Sequence, residues 1–237
     1  MRVHLVDDLT KEQIDEAVQV IVTTFCNDDG EIEELVMKCF TGNDPENLKL
    51  YARAMVQDAN LMGHVFIATE GELWPAPIIS IGLCWEPGKF LWATKEQREL
   101  GFDELFAAIS PDTRKFWAEV KNAGDQLKAE HGLCSIPLDT FYVNMMLTAR
   151  ISQKRGYGKA VMMAIIAYAA EDGRKWDVGL ITQSAENRDW YVGLGFEEAG
   201  SSEVAAAPYG DFIPMYAFKP YKTSAQGSHI ELLLAMS

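Results

Sequence analysis

Arg150-Ile151-Ser152-Gln153-Lys154-Arg155-Gly156-Tyr157-Gly158-Lys159 is the stretch on which the reading of this chain turns. It holds four cations and no acid. The 237-residue chain around it carries 21 Lys and Arg against 35 Asp and Glu, a net charge of −14. At 21/237, or about 0.9 cations per ten residues, four in ten is an exception that calls for an anion. Two glycines let the chain turn tightly and bring backbone N–H groups close to a ligand. A helix starting behind them adds unpaired N–H groups and about half a positive charge. Together these features describe a phosphate site.

Two familiar phosphate loops do not fit. A Walker loop requires G-x-x-x-x-G-K-[ST], which is absent. A dinucleotide fingerprint requires G-x-G-x-x-G/A, and here the last position is Val161; the acid expected at the end of the next strand is Asp177 at its start. A nicotinamide-dependent oxidoreductase is therefore disfavoured.

What fits is Q-x-x-G-x-G, on Gln153, Gly156 and Gly158, between a strand over 140–148 and a helix reaching about residue 170. That strand is a nearly continuous apolar run, Phe141, Tyr142, Val143, Met145, Met146 and Leu147, as in a central strand buried on both faces. Downstream, Asn187-Arg188-Asp189-Trp190-Tyr191-Val192-Gly193-Leu194-Gly195-Phe196 matches N…Y-x-x-L-G-F. With these two motifs in register, the sequence resembles the GNAT superfamily of acyl-CoA-dependent N-acyltransferases, over residues 2–219 in element order and over about 140–196 in motifs.

The resemblance implies an α/β fold: a central mixed, mostly antiparallel sheet of about seven strands with helices on both faces. It implies acetyl-CoA as co-substrate, with Gln153, Lys154, Arg155, Gly156, Tyr157, Gly158 and Lys159 at its diphosphate. The strand end Met146, Leu147 and Thr148 should splay from its neighbour at 178–183 and pair with the pantetheine arm. Asn187 should approach the pantetheine or adenosine side. Tyr191 matches the family's usual general acid, and a phenol of pKa ~10 suits protonation of a departing thiolate. The reaction is direct attack by an amine of a small molecule or peptide on the thioester, with no covalent enzyme intermediate. The alternative is a non-catalytic acyl-CoA-binding or sensing module.

Working outward, residues 2–6 read as a strand. Thr10 with Gln13 is a capping box opening a helix through Phe25. A helix over about 45–60 and strands at 64–69 and 78–85 follow. Residues 89–133 are charged and helical, with Ser110-Pro111 as N-cap and first helical residue; they form an insertion between strands 3 and 4. A short helix is expected at 187–194 and a last strand pair between Phe196 and Phe218. Residues 1–219 thus read as a single domain, with a tail at 220–237 in which 230–234 could be strand or helix.

No general base is identifiable; Asp139 and Glu86 are the acids nearest to strand ends. Trp85, Phe90, Trp92, Phe102, Phe106, Phe116 and Trp117 make the insertion region aromatic-rich, mostly core, with some able to roof an acceptor cleft. The acidic balance disfavours nucleic acid and anionic membranes and leans toward a cationic amine. The longest apolar helical run, 160–170, is far short of the ~20 residues of a membrane span. Cys26, Cys39, Cys84 and Cys134 have no metal-ligand spacing, so no metal is expected, and they read as buried thiols of a reducing compartment. The N-terminus turns acidic too early for a signal peptide. A cytoplasmic protein is expected, of unassigned oligomeric state.

Overall fold

The computed structural model describes residues 1–71, 75–133 and 135–223. Cys134 and the possible element at 230–234 lie outside them. The order is β1 (Arg2–Val6), α1 (Lys11–Phe25), α2 (Leu35–Thr41), α3 (Pro45–Met62), β2 (His64–Thr69), β3 (Ser80–Trp85), α4 (Lys95–Gln97), α5 (Asp103–Ala108), α6 (Pro111–Glu130), β4 (Thr140–Thr148), α7 (Tyr157–Ala170), β5 (Asp177–Gly179), β6 (Ile181–Thr182), α8 (Ala185–Gly193), β7 (Glu198–Ala205) and β8 (Phe212–Phe218). A wide turn, Arg98–Phe102, joins α4 to α5.

The helix starts follow their caps. Thr10 and Gln13 make both halves of the capping box. Asp44 accepts from the Glu46 N–H at 2.9 Å with Pro45 behind it, and Ser110 accepts from the Thr113 N–H at 3.1 Å ahead of Pro111. The helix missed by the sequence reading is α2. It has seven residues and no side-chain cap, so neither a start signal nor a full apolar period announces it.

Strands β1 to β5 form one sheet in sequence order, antiparallel from β1 to β4 and parallel between β4 and β5. Alternation sends one set of side chains to each face. Val65, Ile67, Ile81, Leu83, Met145 and Leu147 pack against α1 and α3. Phe66, Ala68, Cys84, Phe141 and Val143 pack against α7, whose Val161, Ile165 and Ile166 are fully buried.

The expected single sheet of about seven strands is instead two sheets, of five and three. The strand expected at 178–183 breaks at Leu180: β5 pairs with β4 no further than Thr140, Phe141 and Tyr142, and β6 crosses to β8 in a sheet of order β6-β8-β7. Leu180, 1% exposed, turns into the α7-side cluster and marks the break. The small sheet packs on α2 and α6 through Cys39, Phe116, Leu127, Val204 and Met215. The last strand pair starts at Glu198 rather than Phe196, because the Phe196 N–H still bonds the Tyr191 carbonyl at 3.1 Å in the helix end.

The insertion lies between β3 and β4, as expected, and is moored by a buried carboxylate. Asp58 of α3 accepts from Trp85 Nε1 (2.9 Å), from the Trp92 N–H (2.8 Å) and from Gln97 Nε2 (3.1 Å). Over this anchor Trp92 stacks on Phe102 at 4.4 Å and on Trp117 at 5.6 Å. Trp85 and Phe116 are core; Phe90 and Phe106 are 39% and 38% exposed. No helix among the described residues is long and apolar enough to cross a membrane.

Candidate functional site

The basic stretch follows the C-terminal end of β4. A single 3-10 turn, Arg150–Ser152, leads to an extended Gln153, and Lys154 sits at φ +60°. Gly156, at φ +89°, is the N-cap of α7, and no described side chain caps that helix. The Ala160 N–H makes a bond to the Gly156 carbonyl at 3.0 Å, so the amides ahead of it in the first turn have no intrahelical acceptor. Gln153 ties the loop to its strand, donating from Nε2 to the Thr148 carbonyl at 3.2 Å.

The four cations divide. Arg150 pairs with Glu33 and donates to the Thr24 carbonyl at 3.2 Å. Arg155 and the Tyr157 hydroxyl both donate to Glu70 Oε1, at 3.0 and 3.2 Å. Lys154 and Lys159 are exposed and make no ion pair among the described residues. No sequence signal marked Glu70 at the end of β2.

Gly156 can be tested as a backbone device. A Cβ there would meet nothing within 4 Å, so only the positive φ opposes a side chain. Gly156→Ala is expected to cost about 1–2 kcal/mol, or about 2–8 °C in Tm, read by thermal unfolding. An unchanged Tm would mean that the loop relaxes freely.

Beside the loop, β4 loses its neighbour. Pairing with β5 ends at Tyr142↔Gly179, and β4 runs on for six residues, 143–148, with that edge open. The Ala149 N–H bonds the Ile79 carbonyl at 2.8 Å. Alternation along an antiparallel pair therefore commits the backbone of Leu147 to β3 and turns that of Met146 and Thr148 to the open edge. Leu147, named with them from the sequence, has its side chain buried and its carbonyl bonded by Ser80 Oγ at 2.7 Å. Of the three, Met146 and Thr148 turn their backbones to the open edge, where Gln153 already takes the Thr148 carbonyl and leaves its N–H.

The third wall is α8. Ser184 caps it, accepting from the Asn187 N–H at 3.3 Å; the Asn187 side chain is exposed. Trp190 lies 3.7 Å, and Thr148 Oγ1 3.2 Å, from where a Cβ on Gly158 would stand, so strand end, helix start and α8 converge there. Tyr191 is 7% exposed in an aromatic nest with Trp190, Phe196 and Phe218 at 4.9, 5.6 and 5.7 Å. Burial first, then the charge that Cys84 or Tyr142 would carry, pushes its phenol well above the ordinary range. Burial likewise raises Tyr142 to about 12, opposed by a hydrogen bond with the Ile181 backbone at the fork.

The acids named as possible bases are elsewhere. Asp139 precedes β4 and Glu86 follows β3, both at the end of the sheet remote from the loop. Glu86 is occupied by His64 Nε2 at 3.1 Å and Lys89 Nζ at 2.8 Å. Asn144, which no motif in the sequence includes, breaks the apolar run between Val143 and Met145 of β4 and is exposed.

No family model matches the chain, and no curated protein does. Solved structures do match. The C-terminal condensation domain of Ebony, in complex with β-alanyl-dopamine, aligns with a TM-score of 0.59 at 13% identity, over 93% of this chain and 99% of that one. Arylalkylamine N-acetyltransferase 2 from Aedes aegypti gives 0.58 at 12% identity, over 93% and 99%. Polyamine N-acetyltransferase from Drosophila melanogaster gives 0.56 at 11% identity, over 92% and 98%. The chain has the GNAT fold.

Proposed function

We infer that the protein is an N-acyltransferase moving an acetyl group from acetyl-CoA to an amine of a small molecule or peptide. The observation that carries this is the junction of an uncapped helix start, flanked by Lys154 and Lys159, with the open edge of β4. A phosphate site and a strand edge side by side suit a ligand with a diphosphate at one end and an amide-bearing arm at the other.

In this reading the amides of residues 154–159, with Lys154, Lys159 and the Glu70-held Arg155, take the diphosphate. Gln153 fixes the loop, and Tyr157 locks it to Glu70. Met146 and Thr148 pair with the pantetheine arm, and Asn187 borders it. The amine nitrogen attacks the acyl carbon, the C–N bond forms and the C–S bond breaks. The nitrogen's proton leaves to water, and Tyr191 gives its proton to the departing sulfur. The fold neighbours named for arylalkylamines and polyamines support a small amine, and the net charge of −14 favours a cationic one. The free, buried thiols of Cys26, Cys39 and Cys84 suit a reducing compartment such as the cytoplasm.

Thermal unfolding with and without acetyl-CoA tests the assignment. Ligand at about 100 times Kd adds about 2.7 kcal/mol, about 5–11 °C in Tm for a chain of this size. Release of CoA thiol on adding amines then separates transfer from mere binding. No shift with acetyl-CoA, CoA or longer acyl-CoAs would end the reading.

A further inference from the structure

Asn144 occupies the most unusual position in the sheet. β4 is covered by α7 on one face and by α1 and α3 on the other, and its residues are buried or half-buried except Asn144, which is exposed. The pairing explains how. Leu83 faces Met145 and Cys84 faces Val143, so Asn144 is a bulge residue without a partner in β3. On the other side β5 has already ended, opposite Tyr142. Asn144 is thus the second residue past the fork, on the stretch of β4 whose outer edge is open. Its carboxamide makes no hydrogen bond with any described residue. Bulges re-aim side chains and are common beside active sites.

We propose that Asn144 receives the acceptor amine at the fork, its carboxamide oxygen accepting one N–H of the neutral amine. This rests on the N-acyl transfer reading. The bond leaves the nitrogen lone pair free for the acyl carbon. A carboxamide takes up no proton near neutral pH, so the nitrogen's proton goes to water and the amine must arrive uncharged. No other residue of β4 beyond the fork, Val143 or 145–148, carries an ionisable side chain. Beside Asn144 in the sheet are Tyr142 on β4 and Cys84 on β3, with Tyr191 of α8 interacting with both, and the covering helix α3 carries Tyr51 and Asp58; burial raises the pKa of each. The kcat/KM for an amine should therefore rise about tenfold per pH unit up to the pKa of that amine.

The test uses acetyl-CoA with agmatine, spermidine and dopamine as probe amines, following released thiol. Asn144→Ala is expected to lower kcat/KM for the accepted amine about tenfold while the acetyl-CoA-induced Tm shift stays as in the wild type. Asn144→Asp puts a carboxylate at the same place, able to take the amine's proton, and should displace the acidic limb of the pH profile to lower pH. Unchanged kinetics and an unmoved limb in both variants would overturn the proposal, as would a loss confined to acetyl-CoA binding. A wild-type protein that binds acetyl-CoA and acylates none of the three amines would instead favour acyl-CoA sensing, and Asn144's role would fall with the transfer reading. The two failures are distinct, because only in the first does the wild type turn over.

Discussion

Tyr191→Phe should bind acetyl-CoA as the wild type does and turn over about 10²–10⁴-fold more slowly. The substitution is clean because the ring, not the hydroxyl, holds the residue in place. The contacts with Trp190, Phe196 and Phe218 survive in phenylalanine, and no described residue bonds the hydroxyl, so nothing is orphaned by its removal. The pH dependence has a definite sign. Burial raises the phenol's pKa, so the proton available to the leaving sulfur is still present where a free tyrosine, near 10, would have lost it. An alkaline loss of rate below about pH 10 would have to come from another group. The measurement is kcat against the acetyl-CoA dissociation constant in both proteins. Equal kcat would remove Tyr191 from the chemistry and leave it a packing residue of α8.

The parts of this site legible in the sequence are those in which one short segment carries the whole signal. Gly156 with its positive φ, the basic residues around it and the uncapped helix start are contiguous, so composition and spacing point to them directly. The N-caps Thr10 and Ser110 are local in the same sense. What escaped depends on partners far apart in the chain. Glu70 stands 85 residues from the Arg155 it holds, and nothing near it in sequence says so. The fork was expected at 178–183, but its place is fixed by where Leu180 buries itself and where β8 waits for β6. The helix α2 lacks a side-chain N-cap, and its Cys39 packs with Phe116 and Leu127 of α6. Asn144 was in plain view as a polar break in an apolar strand. Its meaning needs the bulge against β3 and the early end of β5, which no periodicity encodes.

The second large effect concerns the insertion rather than the chemistry. Asp58→Ala is expected to destabilise the protein by about 3–5 kcal/mol, about 6–20 °C in Tm. Asp58 is fully buried, and burial pushes its carboxyl above the usual carboxylate range even though three donors favour the charged form. Alanine would leave Trp85 Nε1 and the Trp92 N–H without an acceptor in the interior. Gln97 would keep its second bond, from Nε2 to the Phe90 carbonyl at 2.9 Å, and its Oε1 would still accept from the Thr94 N–H at 2.7 Å. The turn at 94–97 should therefore persist while its mooring to α3 is lost, and with it the seat of Trp92 between Phe102 and Trp117. Asp58→Asn separates charge from geometry. One oxygen can still serve Trp85 and Gln97, while the new NH2 group confronts the Trp92 N–H, so the loss should be about 1–3 kcal/mol. Denaturant titration of the three proteins reads both values. Equal, small losses would show that the aromatic stack, and not the carboxylate, holds the insertion to the sheet. The acetyl-CoA-induced Tm shift should survive in Asp58→Asn, since Asp58 bonds β3 and the insertion and makes no hydrogen bond with the basic loop at 150–159.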